Sequence, residues 1–226
     1  MKEGLEANRK LCLKQQTELR KKLQNSYQFE EAKDLFFKQH AMLHTAQMAG
    51  SESFSLEDEV FDNLSEKKAR RIPPNSEHSI LWNIWHIARI EDVAMNLLVS
   101  TSPQVLHQNH WLQELKIDVL DTGNAMSPIQ IADLSKRIEI QALRAYRMAV
   151  GRKTRQIVKE LQAGDLSRKV DPARLVQVKQ QGAVVEAATS IIEYWSKRNI
   201  AGLLLMPATR HSLVHLNESF RLKEKR

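Results

Sequence analysis

Three histidines could form a metal centre with room for chemistry: His86, and the pair His211 and His215 that stand four residues apart in HSLVH. Side chains at i and i+4 lie one above the other on a helix face, so two imidazoles can converge on one ion. A third ligand must come from another element. His86 belongs to the stripe Trp82, His86, Ile90, Val93 and Leu97, whose spacings define one apolar helical face. It is therefore expected to point inward, where the pair could meet it. Three neutral imidazoles leave an ion its full charge and at least one open position, so the ion could polarise a water or bind an anionic ligand. Zinc is the first expectation, with nickel, iron and manganese as alternatives.

Other side chains could join or compete with this site. Glu218 lies three residues after His215 and seven after His211, on the same face. It could hold a ligand histidine in the right tautomer, act as a base or bind the ion itself, or simply close a salt bridge at the helix end. Arg89, one turn beyond His86, could attract an anionic substrate or pair with Glu91 or Asp92. Trp82 and Trp85 could wall a substrate pocket or pack the core. His40 and His44 in FFKQHAMLH form a second HxxxH pair. Two such pairs facing each other would close a four-histidine structural site, whereas the simpler reading makes them buried polar residues. The sequence carries no Gly-rich phosphate loop, nucleophile elbow or paired-cysteine motif that would point to other chemistry.

The elements that must position these residues read as helices throughout. Phe29, Phe36 and Leu43 repeat at seven, with Ala32 and His40 on the same face, which predicts a helix over 28–48. A linker from Gly50 to Ser76, with the run KKARR and Pro73-Pro74, is expected to be the most mobile loop. Asn75 or Ser76 could cap a second helix to about Leu98. The stretch from Ser100 to Met126 is long enough to cross the end of a bundle. Ser127, Pro128 and Gln130 combine an N-cap, an N1 proline and a capping-box partner, so a third helix should run from there to about Leu161, with a bend at Gly151. Asp171-Pro172 starts a short helix, and the last one should span 184–222 with a kink at Pro207. The charged segment 3–24 reads as a helical arm, which divides the chain into an arm at 1–27 and a bundle domain at 28–226.

Composition narrows the function classes. A chain of 226 residues can bury one sizeable core. Its lone cysteine, Cys12, excludes an internal disulfide, and the absence of a signal-like or membrane-spanning apolar run suggests a soluble cytoplasmic protein without a membrane partner. The net charge of +7 invites nucleic acid as a partner. Most cations, however, alternate with acidic residues, as in TELRKKL and LSKRIEI, and aromatics do not interleave with the basic runs. Specific nucleic-acid binding is not expected.

The stretches WNIWHIARIEDVAMN, YRMAVGRKTRQIV and LLLMPATRHSLVHLNES resemble those of the DinB-like (YfiT-like) superfamily of metal-dependent enzymes, over roughly residues 28–222. The resemblance implies an all-α four-helix bundle with a long crossover connection. One metal ligand would lie on the second helix and two, at HxxxH spacing, on the fourth, which assigns His86, His211 and His215. It further implies that the first helix lines the pocket, so that His44 could hydrogen-bond a bound water or substrate. Members include thiol transferases and isomerases, and homodimers are common. The expected function is therefore a metal-dependent transferase, isomerase or hydrolase acting on a small molecule such as a low-molecular-weight thiol. The alternative is a non-catalytic helical binding or stress-response protein with a structural or vestigial site.

Overall fold

The computed structural model describes residues 2–50 and 54–225. Helix α1 (Lys2–Lys22) is followed by α2 (Phe29–Leu43), the short α3 (Leu56–Phe61) and α4 (Glu66–Arg70), and α5 (Ile80–Val93), which ends in a π-helical turn, Ala94–Val99. A crossover carrying the short α6 (Trp111–Leu115) leads to α7 (Pro128–Arg137) and α8 (Ile140–Glu160). Then come α9 (Pro172–Gln180), α10 (Thr189–Ser196) and a last long element made of α11 (Ile200–Leu205), a π-helical turn (Met206–Arg210) and α12 (His211–Glu224). Among the described residues there is no strand, and the one isolated bridge joins Lys169 to Asn199.

Helix α5 packs on α8 and α12, and α2 packs on the same two, so the four close a ring with α2 and α5 on a diagonal. Every residue of α5 is buried, its polar residues Asn83, His86, Arg89, Glu91 and Asp92 included. The stripe through Trp82 and His86 therefore does not by itself select an inward face. The apolar core has two parts, and on each ring helix the change from one to the other falls at polar residues. These are Gln39 and His40 on α2, Arg89 on α5, Thr154 on α8, and Thr209 in the last π-helical turn with Ser212 at the start of α12. A polar layer crosses the bundle at this level.

Several boundaries differ from the sequence expectation for identifiable reasons. Ser79, not Asn75 or Ser76, caps α5 by accepting the Trp82 amide at 2.9 Å. The Ser127 capping box and the N1 proline start α7 as expected. That helix ends at Arg137, and Glu139 caps a new one by accepting the Ala142 amide. The break thus falls at Ile138 and Glu139, while Gly151 stays helical. The stretch 184–222 is interrupted around Lys197 to Asn199, where Asn199 caps α11. The linker 50–76 is not an open loop over its described residues: Leu56, Glu57, Val60 and Ala69 of α3 and α4 are buried.

Helix α1 lies along α2 and α11. Pro207 cannot donate an amide hydrogen, and the π-helical turn around it frees carbonyls from the regular ladder. Thr209 Oγ1 and Gln16 Nε2 of α1 both donate to the Leu205 carbonyl, at 2.8 and 3.0 Å. His211 begins the next helix, so this local repair sets where the histidine pair stands.

Candidate metal centre

His86 on α5 and His211 and His215 on α12 come together: each offers a ligand atom, and these atoms all lie within 4.8 Å of one another. The ring centroids are 4.7 to 5.0 Å apart, and every pair is edge to face. Two of the rings are fixed through their far nitrogens. His86 Nδ1 donates to the Thr122 carbonyl at 2.5 Å, and His215 Nδ1 is shared between Asn83 Oδ1 and Glu218 Oε2, both at 3.1 Å. Each bond places the proton on Nδ1 and leaves Nε2 as the free donor atom, the tautomer a metal ligand needs. His211 Nδ1 is buried without a hydrogen-bond partner.

Burial pushes His86 down to about 3, helped by nearby His215 and opposed by the Thr122 carbonyl. Burial likewise holds His211 well below its ordinary value, with His86 and His215 adding to the effect. The rings of His86 and His211 are therefore neutral at physiological pH and able to coordinate without first losing a proton. The chemistry of the donor set and the orphaned His211 nitrogen both fit a divalent ion.

The three histidines open into a cleft of about 660 Å³ that Trp82, His78, Met126 and Ile131 also line. Trp82 stacks between two imidazoles, 4.6 Å from His86 and 3.9 Å from His78. A larger groove, of about 850 Å³, is lined by Arg20, Lys169, Lys197 and Arg198 and contains none of these histidines. Its size is not matched by convergent ligand groups, so the smaller cleft is the candidate site.

Glu218 stands behind His215, where its two oxygens accept from His215 and His78, both at 3.1 Å. Although burial raises it, the bonds from His215 and His78 bring its carboxyl down to about 2. It is an ionised acceptor that orients two rings. His78 was missed in the sequence because it precedes the cap of α5, although its spacing of four from Trp82 and eight from His86 was a usable signal.

Two expected residues lie elsewhere. Arg89 is fully buried and does not line the cleft: it donates to Asp92 at 3.0 Å, Tyr146 at 3.0 Å, Gln104 at 2.8 Å and the Leu120 carbonyl at 2.6 Å. Both terminal nitrogens of its guanidinium are held by internal partners away from the cleft, which corrects its expected role as a substrate anchor. His44 does not line the cleft either, because it turns with His40 toward Glu91 on the bundle diagonal. The two HxxxH pairs therefore do not close one four-histidine site.

No curated protein matches the chain. The model of the DinB superfamily matches residues 55–218, which include all three histidines of the cleft, and the chain belongs to that superfamily.

Proposed function

We propose that the protein is a metal-dependent enzyme in which His86, His211 and His215 hold one divalent ion, zinc in the first instance, and that it acts on a small molecule, a low-molecular-weight thiol being the first candidate. The observation that carries this reading is the convergence of three imidazoles in the wall of a cleft, two of them oriented by Thr122, Asn83 and Glu218. An ion bound there supplies Lewis acidity, which lowers the pKa of a thiol or water at the open position. The chain's own residues do the rest. Glu218 and Thr122 keep the protons on the far nitrogens, and Trp82, 3% exposed, keeps water off one side of the histidines. In such a partly dry cleft, electrostatic attraction to a developing anion is stronger than in water.

Reaction class is tested by loading the protein with zinc, nickel, iron or manganese and screening small thiols against electrophiles and isomerisable substrates. The expected outcome is a rate that depends on metal and is lost in His86→Ala with helical content unchanged. Turnover that survives in metal-free His86→Ala would overturn the mechanism.

A further inference from the structure

A second group of ligating side chains lies away from the cleft, in the polar layer that divides the core. His40 Nε2 meets Glu91 Oε1 at 2.8 Å and His44 Nε2 meets Glu91 Oε2 at 3.0 Å, with all three side chains fully buried. The imidazole centroids are 4.3 Å apart, and Phe36 stacks on His40 at 5.2 Å. Neither Nδ1 atom has a hydrogen-bond partner, so every polar contact of the two rings is directed at the one carboxylate. Gly151 makes room for this arrangement, since a Cβ there would stand 2.8 Å from His44 Nδ1.

Charge is unbalanced at this point of the layer. Among the described residues the fully buried carboxylates are Glu57, Glu91 and Asp92, whereas the fully buried guanidiniums are Arg89 and Arg147. Arg147 is taken by Glu57 at 2.7 Å and Arg89 by Asp92 at 3.0 Å. Glu91 is left facing two histidines alone. Buried charges are ordinarily paired or coordinate metals, because an isolated carboxylate in a low-dielectric interior is strongly penalised.

We propose that His40, His44 and Glu91 form a second cation site, distinct from the cleft, that holds a divalent transition-metal ion in a structural role. Two imidazole nitrogens and two carboxylate oxygens make four donors, the closed set expected of a structural ion. Nitrogen and oxygen atoms bonded to one tetrahedral zinc at about 2.0–2.2 Å stand about 3.3–3.6 Å apart, so the observed 2.8 and 3.0 Å would open by roughly half an ångström as an ion replaces the shared protons. Because none of the three residues reaches solvent, the ion would enter while the chain folds and would tie α2 to α5 across the diagonal.

The test is zinc stoichiometry by elemental analysis of full-length protein expressed in zinc-supplemented medium and freed of loosely held ion. Wild type should carry two zinc ions per chain. His211→Ala/His215→Ala should carry one, and Glu91→Gln should carry one. The decisive arm is His211→Ala/His215→Ala, which leaves the buried cluster intact and so does not depend on Glu91→Gln folding. X-ray absorption of its remaining ion should give a shell of two imidazole nitrogens plus carboxylate oxygens. A zinc-free His211→Ala/His215→Ala protein would overturn the proposal and leave a proton-held triad in its place. If the cleft is the site that fails, wild type carries a single zinc that survives in His211→Ala/His215→Ala and is lost in Glu91→Gln, so the two readings fail separately.

Discussion

His86 and Thr122 are joined through a hydrogen bond of 2.5 Å from the imidazole Nδ1 to a carbonyl in the crossover connection, 36 residues along the chain. The long crossover therefore belongs to the candidate metal centre, since it sets the tautomer of the one histidine that α5 supplies to it. Gly123 follows immediately with φ at +80°, and a Cβ there would lie 2.5 Å from the ring of Trp85. Gly123→Ala should cost about 1–2 kcal/mol for the left-handed backbone alone, with a further loss as Trp85 shifts. It should also weaken zinc binding roughly tenfold to a hundredfold, as the loss of an outer partner does. Chemical denaturation and zinc titration of the variant measure the two effects; unchanged affinity would show that Thr122 does not position His86.

Glu218→Gln removes the charge behind His215 while keeping the shape of the side chain. Because Glu218 is partly exposed, at 24%, the fold should persist. Zinc affinity is expected to fall about 10- to 100-fold, with circular dichroism unchanged. An equal fall in His78→Ala would mean that the carboxylate works through both rings. An effect confined to Glu218→Gln would assign it to His215.

Arg89 separates a structural from a functional reading of the same residue type. Asp92 accepts not only from Arg89 but also from Tyr146 at 2.6 Å, Asn96 at 2.8 Å, and the Val105 and Leu106 amides at 2.8 and 3.0 Å, which pins the start of the crossover to α5. Arg89→Met leaves that carboxylate without its cation and should destabilise the fold by about 3–5 kcal/mol. Urea unfolding gives the number. A loss below about 1 kcal/mol, inside the range of ordinary surface changes, would restore a role for Arg89 outside the core.

What could be read from the sequence was chemistry carried by local spacing. The HxxxH pair, the Ser127 capping box and the Phe29, Phe36 and Leu43 repeat are short-range patterns, and the structure has all three. What could not be read was partner choice among buried polar groups. Arg89, Glu91 and Asp92 are close neighbours on α5, yet they face Tyr146 and the crossover, the His40 and His44 pair, and Arg89 itself. An amphipathic pattern cannot assign directions on a helix that is buried all round. The break at Ile138 was equally hidden, because the residues on both sides are good helix formers and the stop is made by Glu139 accepting the Ala142 amide at 2.8 Å.

Cys12 gives a pH dependence whose sign is fixed by burial. The thiol is fully buried on α1, and Gln39 Nε2 approaches its sulfur at 3.8 Å. Burial pushes it from 9.0 up to about 11, with the Gln39 contact opposing. The folded protein therefore keeps this proton to higher pH than the unfolded chain does. Its contribution is complete below about pH 9 and is lost as pH rises from there toward about 11. Integrated over the interval, the loss amounts to roughly 3 kcal/mol at about 1.4 kcal/mol per pH unit. Lysines and tyrosines titrate in the same range, so the measurement is the difference between wild type and Cys12→Ala in urea unfolding from pH 8 to 11. The cavity cost of the substitution should be largest at pH 8 and shrink steadily as pH rises. Parallel curves would mean that the thiol ionises alike in both states, and rapid labelling of native Cys12 by a disulfide reagent at pH 8 would point the same way.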